Sequence, residues 1–327
     1  MIKITRTIFA MLVAVVLLSA FKADRTITIF MIGDSTMANK DISGGKLERG
    51  WGMMLRHCFS DDVRVDNHAQ NGRSSKSFIA EGRWDKVLRM MKPGDYVFIQ
   101  FGHNDEKPDE KRHTDPGSTF DDNLRKFVRE AREKGGIPVL FNSVVRRNFS
   151  GSKTAVTDDD LRGNSSAGMK EGDVLIDTHG DYLLSPRNVA REMNVPFVDA
   201  NKITHDLEQS LGVEGSKKLH MWYLPGETPT LPDGRQDNTH YNIYGASTVA
   251  SLLADEVAKQ VPALKKHVRH YDAVVAADGS GQYFDLQEAV DKAPKGKSVI
   301  YVDSKSWKVP VIPKDKKIKF VRGKWGN

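Results

Sequence analysis

The chain has 327 residues, 39% of them hydrophobic and 28% charged, with a formal net charge of +6. That length holds one full α/β domain plus a small remainder, and the composition is that of an ordinary globular protein. The basic residues are scattered apart from a Lys-rich stretch around Lys314 to Lys324, so no nucleic-acid partner is expected, whereas a polyanionic polysaccharide fits the same charge.

Met1 to Ala20 reads as a signal peptide, with Lys3 and Arg6 before an apolar run from Ile8 to Leu18 and small residues at Ser19-Ala20. The run is short for a membrane span and has no second candidate, so no stable span is expected after cleavage; an uncleaved anchor is the alternative. Cys58 is the only cysteine, which excludes an internal disulfide and places the expected destination in a bacterial periplasm or exterior. Its apolar neighbours predict a buried, inert thiol.

Ile27 to Ile32 is a β-branched and aromatic run that predicts a buried strand, ending at Gly33-Asp34-Ser35. A helix is predicted over Gly50–Phe59, a short strand over Val63–Val65, and a polar loop from Asn67 to Ser75 that contains Gly72. One helix is expected from Ser75 to Met91, closed by Lys92-Pro93-Gly94. Asp95–Phe101 predicts a strand that stops at Gly102-His103-Asn104-Asp105, followed by an amphipathic helix over Phe120–Lys134 and a strand over Ile137–Ser143. The pattern loosens from Arg146 to Arg187, a length of irregular chain that is usually functional or disordered. A helix over Val189–Met193, a strand over Val195–Asp199 and a helix over Ile203–Leu211 follow. A polar loop then runs from Glu214 to Asp237-Asn238-Thr239-His240, before a helix over Ile243–Val261. Strands alternating with helices predict an α/β fold: a doubly wound, flavodoxin-like parallel sheet with helices on both faces, spanning residues 25–262. Residues 263–270 read as a linker, and 271–327 as a separate strand-rich segment.

A parallel sheet gathers the loops at its strands' carboxyl ends along one edge, so Ser35, Gly72, Asn104 and the Asp237/His240 pair can converge. The chemistry calls for that set. Ser35 as nucleophile needs His240 as general base, and Asp237 can orient the imidazole and stabilise the imidazolium. An oxyanion needs preorganised donors, which the backbone N–H groups of Ser35 and Gly72 and the Asn104 amide can supply.

In this order the residues resemble the SGNH (GDSL-like) hydrolase superfamily. Its blocks match Gly33-Asp34-Ser35, Gly72, Gly102-His103-Asn104-Asp105 and Asp237 to His240, with Thr36 where the nominal motif has leucine. That departure leaves the nucleophile in place. Within the superfamily, Gly33-Asp-Ser-Thr36, Gly50-Trp51-Gly52, Ala69 to Ser74, Phe101 to Asp105 and Asp177 to Tyr182 resemble the rhamnogalacturonan acetylesterase branch. The resemblance implies a secreted serine esterase that removes acetyl groups from pectin, without metal or organic cofactor. It implies Ser35, Asp237 and His240 as catalytic residues and Ser35, Gly72 and Asn104 as the oxyanion hole. Arg73, His103, His179, Tyr182 and Trp222 are candidates for sugar contacts, each with a structural role as the alternative. An esterase acting on acetylated xylan or a lipid ester, and a non-catalytic carbohydrate-binding protein on the same fold, are the competing readings.

The stretch Val274 to Val290, with Asp278-Gly-Ser-Gly281, resembles the opening of a pectin methylesterase, and Ser298–Val302 and Val311–Pro313 continue the likeness as first strands of a parallel β-helix. The resemblance covers only a first turn, whereas a solenoid needs several stacked repeats. That family's catalytic aspartates and arginine have no counterpart, so the segment is expected to be an inactive remnant.

Overall fold

The computed structural model describes residues 26–149, 174–303 and 308–323. The expected signal segment lies outside the described residues, as does the part of the irregular connection from 150 to 173. In chain order the strands are β1 (Ile27–Gly33), β2 (Glu48–Arg49), β3 (Val63–Asn67), β4 (Tyr96–Gln100), β5 (Ile137–Phe141), β6 (Phe197–Val198), β7 (His220–Tyr223), β8 (Arg235–Asn242), β9 (Ala273–Ala276), β10 (Gly296–Asp303) and β11 (Lys316–Arg322). The α-helices are α1 (Trp51–Met54), α2 (Ser75–Ala80), α3 (Arg83–Met90), α4 (Thr119–Glu133), α5 (Leu184–Glu192), α6 (Ala200–Ser216), α7 (Ile243–Gln260), α8 (Pro262–Lys265) and α9 (Leu286–Lys292).

Five parallel strands form the main sheet in the order β3-β1-β4-β5-β6. The chain steps outward in both directions from β1, which is the flavodoxin-like order. Where the order reverses, between β1 and β4, the loops leave in opposite directions and open a crevice at the carboxyl edge. The central strands are buried on both faces, which is why their sequences are continuous apolar runs without alternation. Ile29 and Met31 of β1 pack with Phe98, Phe141 and the α7 residues Val249 and Leu253. Phe30 and Ile32 point the other way, into a cluster with Phe78, Trp84, Leu124 and Phe127 from α2, α3 and α4. Each such fully buried side chain contributes about 2 kcal/mol, so this double-sided burial dominates the placement of β1. At the carboxyl edge Trp51 donates Nε1–H to Gln100 Oε1 at 2.8 Å, and Gln100 donates Nε2–H to Thr36 Oγ1 at 2.8 Å. The end of β4 thereby fixes the loop that leaves β1.

Several parts of the chain differ from the sequence expectation, among them Val311–Pro313, which forms no strand; the third strand of the C-terminal segment is β11. The helix expected over Ser75–Met91 is two, because Gly82 takes a left-handed conformation (φ 66°) between α2 and α3. The polar segment ending at His240 is not a loop: β8 pairs antiparallel with β2 and β7 in a second sheet. Arg235-Gln-Asp-Asn-Thr-His-Tyr-Asn carries little β propensity, and its pairing partners make it a strand. Residues 263–270 are packed rather than extended as a linker, since α8 buries Leu264 and Val268 bridges to Phe59. Cys58 is half-buried, with a thiol that burial pushes up to about 12, in keeping with an unreactive sulfur.

The C-terminal segment is a third, parallel sheet in the order β11-β10-β9, with α9 covering Val275, Ile300 and Val302. It sits against the main domain through Tyr301, which donates its hydroxyl to Asp61 Oδ1 at 2.9 Å, and through His57 Nε2, 2.8 Å from Ser280 Oγ. Arg49 of β2 reaches the same segment, donating Nε–H to the Gly279 carbonyl at 3.0 Å.

Candidate active site

Ser35 stands just past β1, half-buried, in a turn held by its neighbour. Asp34 is fully buried and accepts from the Thr36 N–H at 2.9 Å and the Thr36 hydroxyl at 2.8 Å. Burial raises the Asp34 carboxyl above its ordinary range, against the lowering effect of those bonds. The turn puts Ser35 Oγ 2.9 Å from His240 Nε2, and His240 Nδ1 lies 2.8 Å from Asp237 Oδ2.

The way β8 is built explains how Asp237 and His240 meet. Residues three apart on a regular strand face opposite sides. Here His220 pairs with Tyr241 and Trp222 with Gln236, so Asp237 to His240 bulge out of the ladder opposite Met221. A bulge re-aims side chains. Asp237 Oδ1 closes it by accepting from the backbone N–H groups of Thr239 and His240, each at 2.9 Å. Burial opposes charge on Asp237, but its hydrogen bond to His240 and the Arg235 guanidinium hold the carboxyl well below the usual range. It is therefore a fixed anion and acceptor beside the imidazole.

Arg235 extends this into a chain of charges that the sequence reading missed. Its Nη2 is 2.5 Å from Asp237 Oδ2 and its Nη1 2.7 Å from Glu48 Oε2, while Glu48 Oε1 is 2.7 Å from Lys40 Nζ. Burial works against the Glu48 carboxylate, yet Lys40, His240 and Arg235 together bring it down to about 2. A carboxyl depressed in the folded state from 4.5 to about 2 contributes stability that is present above pH 4.5 and lost as pH falls through 2. The melting-temperature advantage of the wild type over Glu48→Gln should accordingly be full at pH 6 and close across that acid window. A difference independent of pH would remove the charge from the explanation.

Gly72 and Asn104, expected as donors, line the same cavity as Ser35. Gly72 lies in a left-handed turn (φ 72°), and Asn104 follows β4. The Asn104 amide is fixed at both ends, donating Nδ2–H to the Arg73 carbonyl at 3.2 Å and accepting from Arg112 Nη1 at 3.3 Å. Asp105 joins the two loops behind them: it accepts from the Ser75 N–H at 3.0 Å, the Thr114 hydroxyl at 3.0 Å and the Gly102 N–H at 3.1 Å. Ser35, Gly72, Asn104 and His240 line one cavity of about 400 Å³, whose wall also carries Lys40, Lys107 and Arg112 and, among the described residues, no aliphatic or aromatic hydrocarbon side chain.

Residues 31–247 match the GDSL-like Lipase/Acylhydrolase family. The chain belongs to that family. It is 37% identical over 244 residues to rhamnogalacturonan acetylesterase RhgT of Bacillus subtilis, covering 75% of this chain and 95% of the relative. The probable rhamnogalacturonan acetylesterase YesY of the same organism is 30% identical over 230 residues, covering 69% of this chain and 90% of the relative. Among solved structures, protein YXIM of Bacillus subtilis superposes with a TM-score of 0.55 at 27% identity, over 73% of this chain and 58% of that one. This chain is thus an ester hydrolase of the GDSL-like group.

The remaining candidates of this GDSL-like hydrolase divide into one residue at the cavity and four away from it. His103 lines the cavity, and its Nδ1 is 2.9 Å from His179 Nε2. His179 stands behind it, not in the cavity wall, with Nδ1 3.2 Å from Asp177 Oδ2. Burial is the main reason His103 stays neutral, its pKa falling well below the ordinary histidine value. Tyr182 donates its hydroxyl to the Thr114 carbonyl and packs its ring against Phe120. Arg73 orders its own loop, donating Nε–H to Glu81 at 3.0 Å and Nη1–H to the Asn71 carbonyl at 2.9 Å. Trp222 sits on β7 under the Lys217 ammonium, 4.2 Å from the ring centroid, and is not part of the cavity. For Arg73, His179, Tyr182 and Trp222 the structural alternative describes what the side chain touches.

Proposed function

We propose that this hydrolase is a secreted serine esterase that removes acetyl groups from pectin, rhamnogalacturonan in particular. The observation that carries the reading is the hydrogen-bonded line Ser35–His240–Asp237 in the wall of a polar, cation-bearing cavity. The names of the relatives RhgT and YesY support the substrate class. A lipid ester would want an apolar groove, whereas the described residues of this cavity wall are polar or charged.

In the mechanism, Ser35 Oγ attacks the acetyl carbonyl carbon while His240 Nε2 takes the hydroxyl proton. The carbonyl π pair moves onto oxygen, and that oxyanion is received by the N–H groups of Ser35 and Gly72 and the Asn104 amide. Asp237 stabilises the imidazolium. Collapse of the tetrahedral adduct expels the sugar oxygen, which takes the proton back from His240 Nε2 and leaves as an alcohol. A water then attacks the acetyl-enzyme with His240 again as base, releasing acetate and restoring Ser35. None of these steps calls on a metal or organic cofactor.

We read Met1 to Ala20 as the export signal of this enzyme and the C-terminal sheet as a pectin methylesterase-like segment that packs against the esterase domain. The deciding measurement is acetate release from acetylated rhamnogalacturonan, acetylated xylan and a long-chain ester in parallel. Selective release from rhamnogalacturonan is expected. Preference for xylan or the lipid ester would overturn the substrate while leaving the ester chemistry intact.

A further inference from the structure

The charged line behind Asp237 does not stop at Lys40. Lys40 Nζ lies 2.7 Å from Glu48 Oε1 and donates to Asn71 Oδ1 at 2.8 Å, so one ammonium group is bonded to two separate parts of the cavity wall. In one direction, Glu48 leads through Arg235 to the carboxylate that pairs with His240. In the other, Asn71 precedes Gly72, whose N–H is an oxyanion donor in the reaction proposed above.

The turn at Gly72 needs such a hold. Asn71 is exposed, Gly72 is left-handed (φ 72°), and a Cβ built on Gly72 would meet nothing within 4 Å among the described residues. Packing therefore does not confine the turn, and hydrogen bonds have to. Arg73 Nη1–H donates to the Asn71 carbonyl at 2.9 Å. In a planar trans peptide the Gly72 N–H points opposite that carbonyl, so this bond sets the donor's direction but leaves the peptide free to pivot about it. A second bond, on the Asn71 side chain, removes that freedom. Lys40 makes it from a rigid place, since its side chain is only 5% exposed. A buried ammonium is costly without a counter-charge and an acceptor, and Glu48 and Asn71 supply one each.

We propose that Lys40 is a positioning residue that ties the Gly72 turn to the Asp237–His240 pair, so that the oxyanion donor and the general base keep one separation. Preorganised donors lose much of their effect when displaced by a fraction of an ångström, and an exposed turn is where such displacement is easiest. The inference rests on the serine esterase reading and adds what keeps its two halves in register. It assigns the Lys40 ammonium to the protein's own Asn71 and Glu48, not to a charged group of the substrate.

The test measures kcat and KM on 4-nitrophenyl acetate, a neutral ester without a sugar, beside acetylated rhamnogalacturonan. Lys40→Met and Asn71→Ala should each lower kcat on the small ester about tenfold with KM close to that of the wild type, a fraction of the loss that follows when an oxyanion donor is removed outright. Asn71 is exposed, so its truncation leaves the fold in place whatever Lys40→Met does. The double variant should be no slower than the slower single one, because both changes break the same bond. Asn71→Asp, which keeps an acceptor for the ammonium, should recover most of the rate. Losses that multiply in the double variant, or wild-type kcat in Asn71→Ala, overturn the tie and leave the esterase reading standing. A Lys40→Met loss confined to KM on the polymer does the same and makes Lys40 a sugar contact. A wild type with no Ser35-dependent turnover of either ester overturns the esterase reading, and the tie with it.

Discussion

Replacing Ser35 by alanine is expected to lower kcat for ester hydrolysis by about ten-thousand-fold or more, the scale seen when a triad nucleophile is removed. Ser35 is half-buried at the cavity wall and its hydroxyl lies 2.9 Å from the imidazole, so its loss removes the atom proposed to attack and little packing. The melting temperature should consequently stay close to that of the wild type. A fluorophosphonate probe offers an independent check, since it should label the wild type at Ser35 and leave the variant unlabelled. Retained turnover in Ser35→Ala would mean that another group is the nucleophile.

Asp237→Asn should cost about as much, on the order of ten-thousand-fold in kcat, with the fold intact. The carboxylate accepts from His240 Nδ1 and from two backbone N–H groups. An amide could place its NH₂ toward the imidazole and hold it in the tautomer with the proton on Nε2, where the lone pair is needed to take the Ser35 proton. With Asp237 anionic the imidazolium formed during attack is stabilised, so the plateau of the kcat/KM profile should fall in the variant. A plateau near the wild-type level would show that Asp237 does not orient the base.

Much of this arrangement could be read from residue types and order. The apolar runs that became β1, β4 and β5 are long and uninterrupted because both faces are covered, and a run of that kind announces a central parallel strand. The polar residues just beyond those strands had to sit at one edge of the sheet, which brought Ser35, Gly72 and Asn104 into the same region before any coordinates. His240 and Asp237 were identified as a pair, but the strand that carries them was not, because its polar side chains conceal a β-bulge defined by long-range pairing. The chain Lys40–Glu48–Arg235–Asp237 was illegible for a related reason. Four charged residues in two distant polar stretches look like solvated surface until β2 and β8 lie side by side. Arg73, His179, Tyr182 and Trp222 were singled out by their chemistry, yet each is engaged by a neighbour that sequence spacing does not reveal.

The small strand β2 joins parts of the molecule that have separate origins in the chain. On one side its residues pair with β8, where Arg49 opposes Tyr241, the neighbour of His240. Outward from the same residue, the buried guanidinium of Arg49 leans on the Gly279 carbonyl of the C-terminal sheet. The C-terminal sheet thus acts as a buttress for the strand next to the one that carries His240. Cutting the chain before Gly279 would strip an acceptor from a buried cation and loosen the support behind the imidazole, so the geometry around His240 depends on a contact made far along the chain.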